Sequence, residues 1–370
     1  MNISKIREVT GLKSCDVGSL PYTEDLPRLA KGADDFATNK TDGSADLFEK
    51  TIVGAFLDKL EAGILVPAFP QFRDMNSMFL STFEGLEKIK GGWIETGRLT
   101  SKPEYTEIPE VAAIRRNAEK IHAQIDSPFQ LRVCITGPYT LASFFPYRTS
   151  QTYRQLGEAL SEIVEKSIFS SKQGRVVLIA IDEPLFGMVD EPLIDKGAEG
   201  RENLLAAWEA MAGKSRSHNA ESCIHLHCTS DSLFWDVKSL GIVESHIDDP
   251  LYKMNTTKRH LEEQDKMLKA SIALTDFDQL IRESLSSKAS DYTLAEAWKK
   301  ISKGILAPEN YLENIGVMTK RLVKITEKFG VERIALAGPE CGLRGFPTYA
   351  SAIECLRRVS ESASSMALSV

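Results

Sequence analysis

Val176-Val177-Leu178-Ile179-Ala180-Ile181-Asp182-Glu183-Pro184 decides the fold. Six apolar residues, mostly β-branched, form a run too short for a helix and without the alternation of a half-exposed strand, so it reads as a parallel strand buried on both faces. The two carboxylates and the proline mark its end. Working outward, similar runs occur at Ser14–Ser19, Ile64–Ala68, Gln130–Thr136, Cys223–His227, Ile242–Ile247 and Arg333–Ala337, with an eighth at Ala270–Leu274 or Gly304–Leu306. Between them, Leu47–Leu60, Val111–Ile125, Tyr153–Ser170, Glu202–Ala212, Leu312–Lys328 and Tyr349–Val359 carry apolar residues at three- and four-residue steps, the period of an amphipathic helix. Alternating strands and helices make the class α/β. Eight such units predict a single (β/α)₈ barrel with insertions spanning residues 1–370. The polar stretch Ser284–Tyr292 is expected to be a loop and Glu361–Val370 a frayed tail.

The 370 residues are 42% hydrophobic and 26% charged, an ordinary globular composition. Lys and Arg number 45 against 52 Asp and Glu, a net charge of −7, and no basic cluster interleaves with aromatics, which argues against nucleic acid as a partner. No apolar run reaches the ~20 residues that span a bilayer, and Met1–Leu20 lacks the pattern of a signal peptide. A cytoplasmic protein with no membrane partner is therefore expected. Six scattered cysteines fit burial or metal binding better than a disulfide framework.

In a barrel of this kind chemistry gathers where strands end. The candidates there are Asp16 and Ser19, then Gln71, Arg73 and Asp74, then Thr136-Gly137-Pro138, Asp182-Glu183, His225-Leu226-His227-Cys228, His246 with Asp248 and Asp249, and Cys341. His225 and His227 share one face of a strand, where two unpaired imidazoles are costly. With Cys228, Cys341 and Asp248 or Asp249 they form a mixed N, S and O set suited to tetrahedral zinc. The blander alternative is a hydrogen-bonded histidine pair with inert cysteines. Asp182, at the mouth of a buried strand, needs a cation or donor, and a ligand's ammonium would serve. Glu183 fits a helix cap, and Gly137 and Pro138 fit a tight turn. Phe144, Phe145 and Tyr147 are either an aromatic platform or packing beneath a loop. No dinucleotide fingerprint, phosphate-binding loop or nucleophile elbow is present.

Several motifs together resemble the catalytic barrel of the cobalamin-independent methionine synthase family. Asp16-Val17-Gly18-Ser19-Leu20-Pro21 is similar to its Gly-Ser-Phe-Pro strand end, Ile135-Thr136-Gly137-Pro138-Tyr139-Thr140 to its Leu-Thr-Gly-Pro-x-Thr, and Ile181-Asp182-Glu183-Pro184 matches its Ile-Asp-Glu-Pro. The segment Ile305–Leu343, closing on Pro339-Glu340-Cys341-Gly342-Leu343, resembles its last βα unit. The resemblance covers nearly the whole chain. It implies a zinc-dependent methyltransferase barrel in which Cys341 and His225 hold the metal and Asp182 and Ser19 hold the amino-acid part of homocysteine. Three departures stand out. The family's His-x-Cys becomes His225-x-His227, with Cys228 one residue on, so either His227 or Cys228 completes the pair. The family's glutamate ligand falls near Asp248. An acidic residue after the second strand is not reproduced, and Gln71 is its stand-in.

The expected reaction is methyl transfer to the homocysteine thiol, with Cys341, His225, His227 and Asp248 as zinc ligands, Cys228 in reserve, and Ser19, Gln71, Thr136 and Asp182 around the substrate. The alternatives are another small thiol such as coenzyme M, a metal-free decarboxylase-like or binding barrel, or an HxH metallohydrolase. A tryptophan that the family places near the third strand falls at Phe144, and folate-using members carry an additional N-terminal barrel. Both point to methylcobalamin or a methylated corrinoid protein as the methyl donor.

Overall fold

The computed structural model describes residues 12–40, 42–105, 107–285 and 289–366. Among the described residues nine strands are formed: β1 (Lys13–Ser14), β2 (Phe83–Ile89), β3 (Gly92–Ser101), β4 (Phe129–Thr136), β5 (Gly174–Glu183), β6 (Glu221–Leu226), β7 (Ile242–Glu244), β8 (Met267–Ala273) and β9 (Ile334–Pro339). Seven of them pair in parallel in the order β1-β9-β8-β7-β6-β5-β4. The remaining gap is closed by the segment around Val66, which bridges to Cys15 on one side, while Ala68 bridges to Arg132 on the other. The sheet thus curls into the expected eight-position barrel. Ala270–Leu274 falls on β8, so it, and not Gly304–Leu306, is the eighth run.

The first run is less regular than expected. Only Lys13–Ser14 joins the ladder, because the Asp16 carboxylate accepts from the backbone N–H groups of Gly18, at 3.0 Å, and Ala68, at 2.7 Å. A side chain that offers the backbone such partners competes with strand pairing. Asp16 is in turn paired with Lys59 at 2.7 Å, and the Lys59 ammonium also donates to the carbonyls of Gly18 and Ala68. This buried knot staples the helix Gly43–Glu61 to the first two strand ends.

Helices cover the outside. The expected helix Val111–Ile125 is two, Pro109–Arg116 and Ala118–Ile125, broken at Asn117, whose side-chain amide donates to the Ala113 carbonyl and to Glu49. The expected tail is helical to Ser365: Tyr349–Ser365 is one helix, with Ala363 buried and Ser362 donating to the carbonyls of Arg358 and Ile315. Residues 367–370 lie outside the described residues. Within the expected loop Ser284–Tyr292, the helix Phe277–Leu285 ends and Asp291–Ser302 begins, capped by Ser290; residues 286–288 are not described. The antiparallel β2–β3 hairpin was not foreseen. It turns at Lys90-Gly91, where Gly91 takes φ +100°, a conformation that glycine adopts without strain.

Register brings the chemistry to one level. Thr136 pairs with Asp182, Asp182 with His225, and His225 with Glu244, so four polar side chains from β4 to β7 stand side by side.

Candidate metal centre and acceptor site

His225 lies in β6 and His227 one residue beyond it, His246 two residues past β7, and Cys341 two residues past β9. One donor atom from each of the four lies within 4.8 Å of the others. The Cys341 sulfur is 3.4 Å from Nε2 of His227, and the His227 and His246 rings are 4.1 Å apart between centroids. Burial, and then the neighbouring imidazoles, push the pKa of His227 down to about 3; burial likewise lowers His225 and His246. All three imidazoles are therefore neutral at pH 7, with lone pairs to offer. Burial pushes the Cys341 thiol up to about 12. Nε2 of His225 and of His246 lacks a hydrogen-bond partner among the described residues. Orphaned buried nitrogens beside a thiol are costly as they stand, and a metal ion is the kind of group that would satisfy all of them.

Two expected ligands stand outside this cluster. Asp248 has a side chain 79% exposed and pairs with Lys253 at 3.1 Å. The Cys228 thiol faces Ser230 Oγ at 3.3 Å, on the Gly187 side of the loop. His246 takes the fourth place. The reason is a long-range contact: β7 ends at Glu244, and Ile247 is drawn off by its N–H donating to Glu340 at 2.9 Å, so the residues after it leave the barrel wall. Asp249 accepts from the backbone N–H of Thr229, at 3.0 Å, and of Leu251, capping the short helix Pro250–Lys253. The signal was present in the sequence. Glu244-x-His246 repeats the one-face spacing of His225-x-His227.

The residues expected around the acceptor fall at neighbouring strand ends. Asp182 is buried, and its Oδ1 has no hydrogen-bond partner among the described residues; burial raises its carboxyl to about 8 despite the charges of Arg132 and Lys269. Ser19 bridges to Gln71, and a Cβ at Gly342 would run into the Ser19 hydroxyl, so glycine lets Ser19 sit beside the Cys341 loop. The Gln71 amide contacts the Met78 sulfur at 3.5 Å. Thr136 donates to the Met75 carbonyl at 2.7 Å, leaving its oxygen free to accept. Other candidates are satisfied internally. Glu183 accepts from the N–H groups of Tyr139 and Thr140 and from the Trp208 indole, capping the helix Pro138–Ala142. Arg73 forms a two-bond pair with Glu110, and Asp74 caps the turn at Ser77. Phe145 is buried, Phe144 is half-buried and Tyr147 is exposed, and no stacked rings join the three.

Residues 12–267 match the family model for the catalytic domain of the cobalamin-independent synthases. The chain belongs to this family. It is thus a member of a methionine synthase-like methyltransferase family, and the resemblance drawn from the strand-end motifs is confirmed. Among solved structures, a B12-independent methionine synthase from Shewanella sp. W3-18-1, solved in complex with selenomethionine, superposes with a TM-score of 0.59 at 12% identity, covering 97% of this chain and 100% of that one. A Listeria monocytogenes protein assigned to the vitamin-B12-independent methionine synthases gives 0.56 at 14%, covering 97% and 99%. A methyltransferase from Methanosarcina mazei gives 0.52 at 14%, covering 97% of each. These similarities carry the fold. A comparison with curated protein sequences finds no match.

Membership corrects one expectation. A methylcorrinoid donor and a corrinoid protein partner lose their support, because the family is that of synthases independent of cobalamin. The residue on which that expectation leaned is a weak guide: the Phe144 carbonyl is occupied by the N–H of Trp93 in β3, and the ring is packed against the core. Among the described residues no helix is long and apolar enough to cross a membrane.

Proposed function

We propose that this chain is a zinc-dependent methyltransferase acting on the thiol of homocysteine. The observation that carries the reading is the register of β4 to β7: it sets the Asp182 carboxyl, whose Oδ1 has no partner among the described residues, beside a cluster of three neutral imidazoles and a thiol. His225, His227, His246 and Cys341 would hold the metal, four donors of the types that zinc favours. When bound, zinc would supply a Lewis acid that shifts a nearby thiol, ordinarily of pKa about 8.5, toward its nucleophilic thiolate.

The protein's own groups would do the positioning. Asp182 Oδ1, without a partner, would accept from the substrate ammonium, and that charge would return the carboxyl to its ionised form. Thr136 Oγ1, with its proton committed to Met75, can only accept from the ligand. Ser19, beside the Cys341 loop, and Gln71 offer hydrogen bonds to the amino-acid end. Holding sulfur and methyl carbon in near-attack geometry is the largest contribution such a site can make to rate. An acceptor with an amine fits better than coenzyme M, since a sulfonate near a buried carboxylate is repelled. The test is calorimetric titration of zinc-loaded protein with L-homocysteine and L-methionine. Binding of both is expected, with Asp182→Asn weakening both while zinc content stays at one per chain. Equal affinity in the Asp182→Asn protein overturns the amine assignment, and a chain that retains no zinc overturns the metal assignment.

A further inference from the structure

Beneath the four donors lies a group of buried charges that neither substrate nor metal needs to touch. Glu244 is fully buried, stands opposite His225 in the β6–β7 register, and brings Oε1 to 3.1 Å from Nδ1 of His225. Its second oxygen is 3.1 Å from Nη1 of Arg132, in β4, and 3.2 Å from the ammonium of Lys269, in β8. Both cations are themselves fully buried, and Lys269 is further fixed by donating to the Pro339 carbonyl. The carboxylate is therefore clamped from two sides of the barrel, with one edge turned to the imidazole.

We propose that Glu244 is the positioning residue of the metal centre, holding His225 with its proton on Nδ1 and its Nε2 lone pair toward the other three donors, while Arg132 and Lys269 hold Glu244. The inference rests on the metal reading above. An ionised carboxylate only accepts, so the imidazole nitrogen facing it must be the one that carries hydrogen. Neither ring nitrogen has a hydrogen bond of good geometry, but Nδ1 stands 3.1 Å from the carboxylate, which leaves Nε2 as the nitrogen that can face a metal. Glu244 is not a member of the donor cluster, and its oxygens are taken up by the two cations. Carboxylates that orient metal-bound histidines in this way typically change metal affinity by about 10–100-fold when replaced.

The rival role is charge balance alone, with Glu244 present only to neutralise Arg132. Glu244→Gln, Glu244→Asp and the double variant Arg132→Met/Glu244→Gln separate the two. Each is checked for folding by circular dichroism, then titrated with zinc against a chromogenic chelator and with cobalt(II) by visible absorption. Positioning predicts about 10–100-fold weaker zinc binding and an altered cobalt spectrum in Glu244→Gln, the same loss in the double variant, and partial recovery in Glu244→Asp. Should the single variant not fold, the double variant, which carries no orphaned guanidinium, decides. Wild-type affinity and spectrum in a folded Glu244→Gln protein, or recovery of both in the double variant, overturns the proposal. A wild-type chain that binds neither metal overturns the metal reading, and this inference with it.

Discussion

The two halves of the barrel mouth treat their buried polar groups differently. In the first half, Asp16 is matched by Lys59 and two backbone N–H groups, and Arg73 is matched by Glu110 through two bonds. In the second half, Asp182 Oδ1 and Nε2 of both His225 and His246 are left over, and Cys341 stands against an imidazole. The folding cost of a buried polar group is offset only by a partner. Groups that have one within the chain hold the structure together, and the orphaned groups that converge beside Cys341 mark where a ligand belongs.

The largest effect should come from breaking the satisfied half. Asp16→Ala leaves the Lys59 ammonium buried beside two carbonyls and no counter-charge, an arrangement that typically costs about 3–5 kcal/mol. Urea unfolding should show this loss, while zinc per folded chain stays at the wild-type value. A loss of zinc with unchanged stability would invert the roles assigned to the two halves.

The next test is removal of a donor. Cys341→Ser and His246→Ala each leave three ligands, so tightly held zinc, about one per chain in the wild type, should fall well below stoichiometry after dialysis. Metal-free unfolding should change little for Cys341→Ser. Cys355→Ser, in a buried position on the helix Tyr349–Ser365, should keep its zinc. Full occupancy in the His246→Ala protein would return the fourth place to another group.

How much of this was legible in the sequence follows the same division. The seven apolar runs and Ala270–Leu274 marked the barrel because strands buried on both faces leave a continuous apolar trace. The hairpin Phe83–Ser101 left none: β2 and β3 bury only Phe83 and Leu99, so only its Lys90-Gly91 turn was a signal. Asp16 looked like a site residue because its partner, Lys59, lies on a helix, a pairing that spacing along the chain does not reveal. His246 and Asp248 stand equally close to a strand end in the sequence, and the point at which β7 leaves the sheet, which decides between them, is set by Glu340, far along the chain.

A smaller effect separates Asp182 from the paired carboxylates through pH. Its folded pKa, about 8, lies above the ordinary aspartate value, so between roughly pH 4 and 8 the folded protein keeps a proton that the unfolded chain has released. Stability of the chelator-treated protein should therefore fall as pH rises through this window, with a slope approaching about 1.4 kcal/mol per pH unit. The difference between wild type and Asp182→Asn isolates that slope from the histidines, whose lowered pKa values act in the opposite sense, removing stability as pH falls. Parallel curves for the two proteins would mean that Asp182 finds a partner within the chain.

The smallest effects are expected at the two residues whose sequence context promised most. Asp248 is largely in solvent and pairs only with the exposed Lys253, an ion pair of a kind that contributes about 0–1 kcal/mol. The Cys228 thiol meets a serine hydroxyl, and serine in its place can make the same contact. Asp248→Ala and Cys228→Ser should each leave zinc stoichiometry at the wild-type value and shift stability by no more than about 0.5 kcal/mol, the range of surface substitutions. His227→Ala, made alongside them, should lose the metal. If Cys228→Ser loses zinc and His227→Ala retains it, the loop after β6 moves by one residue when the metal binds, and the thiol rather than the imidazole completes the site.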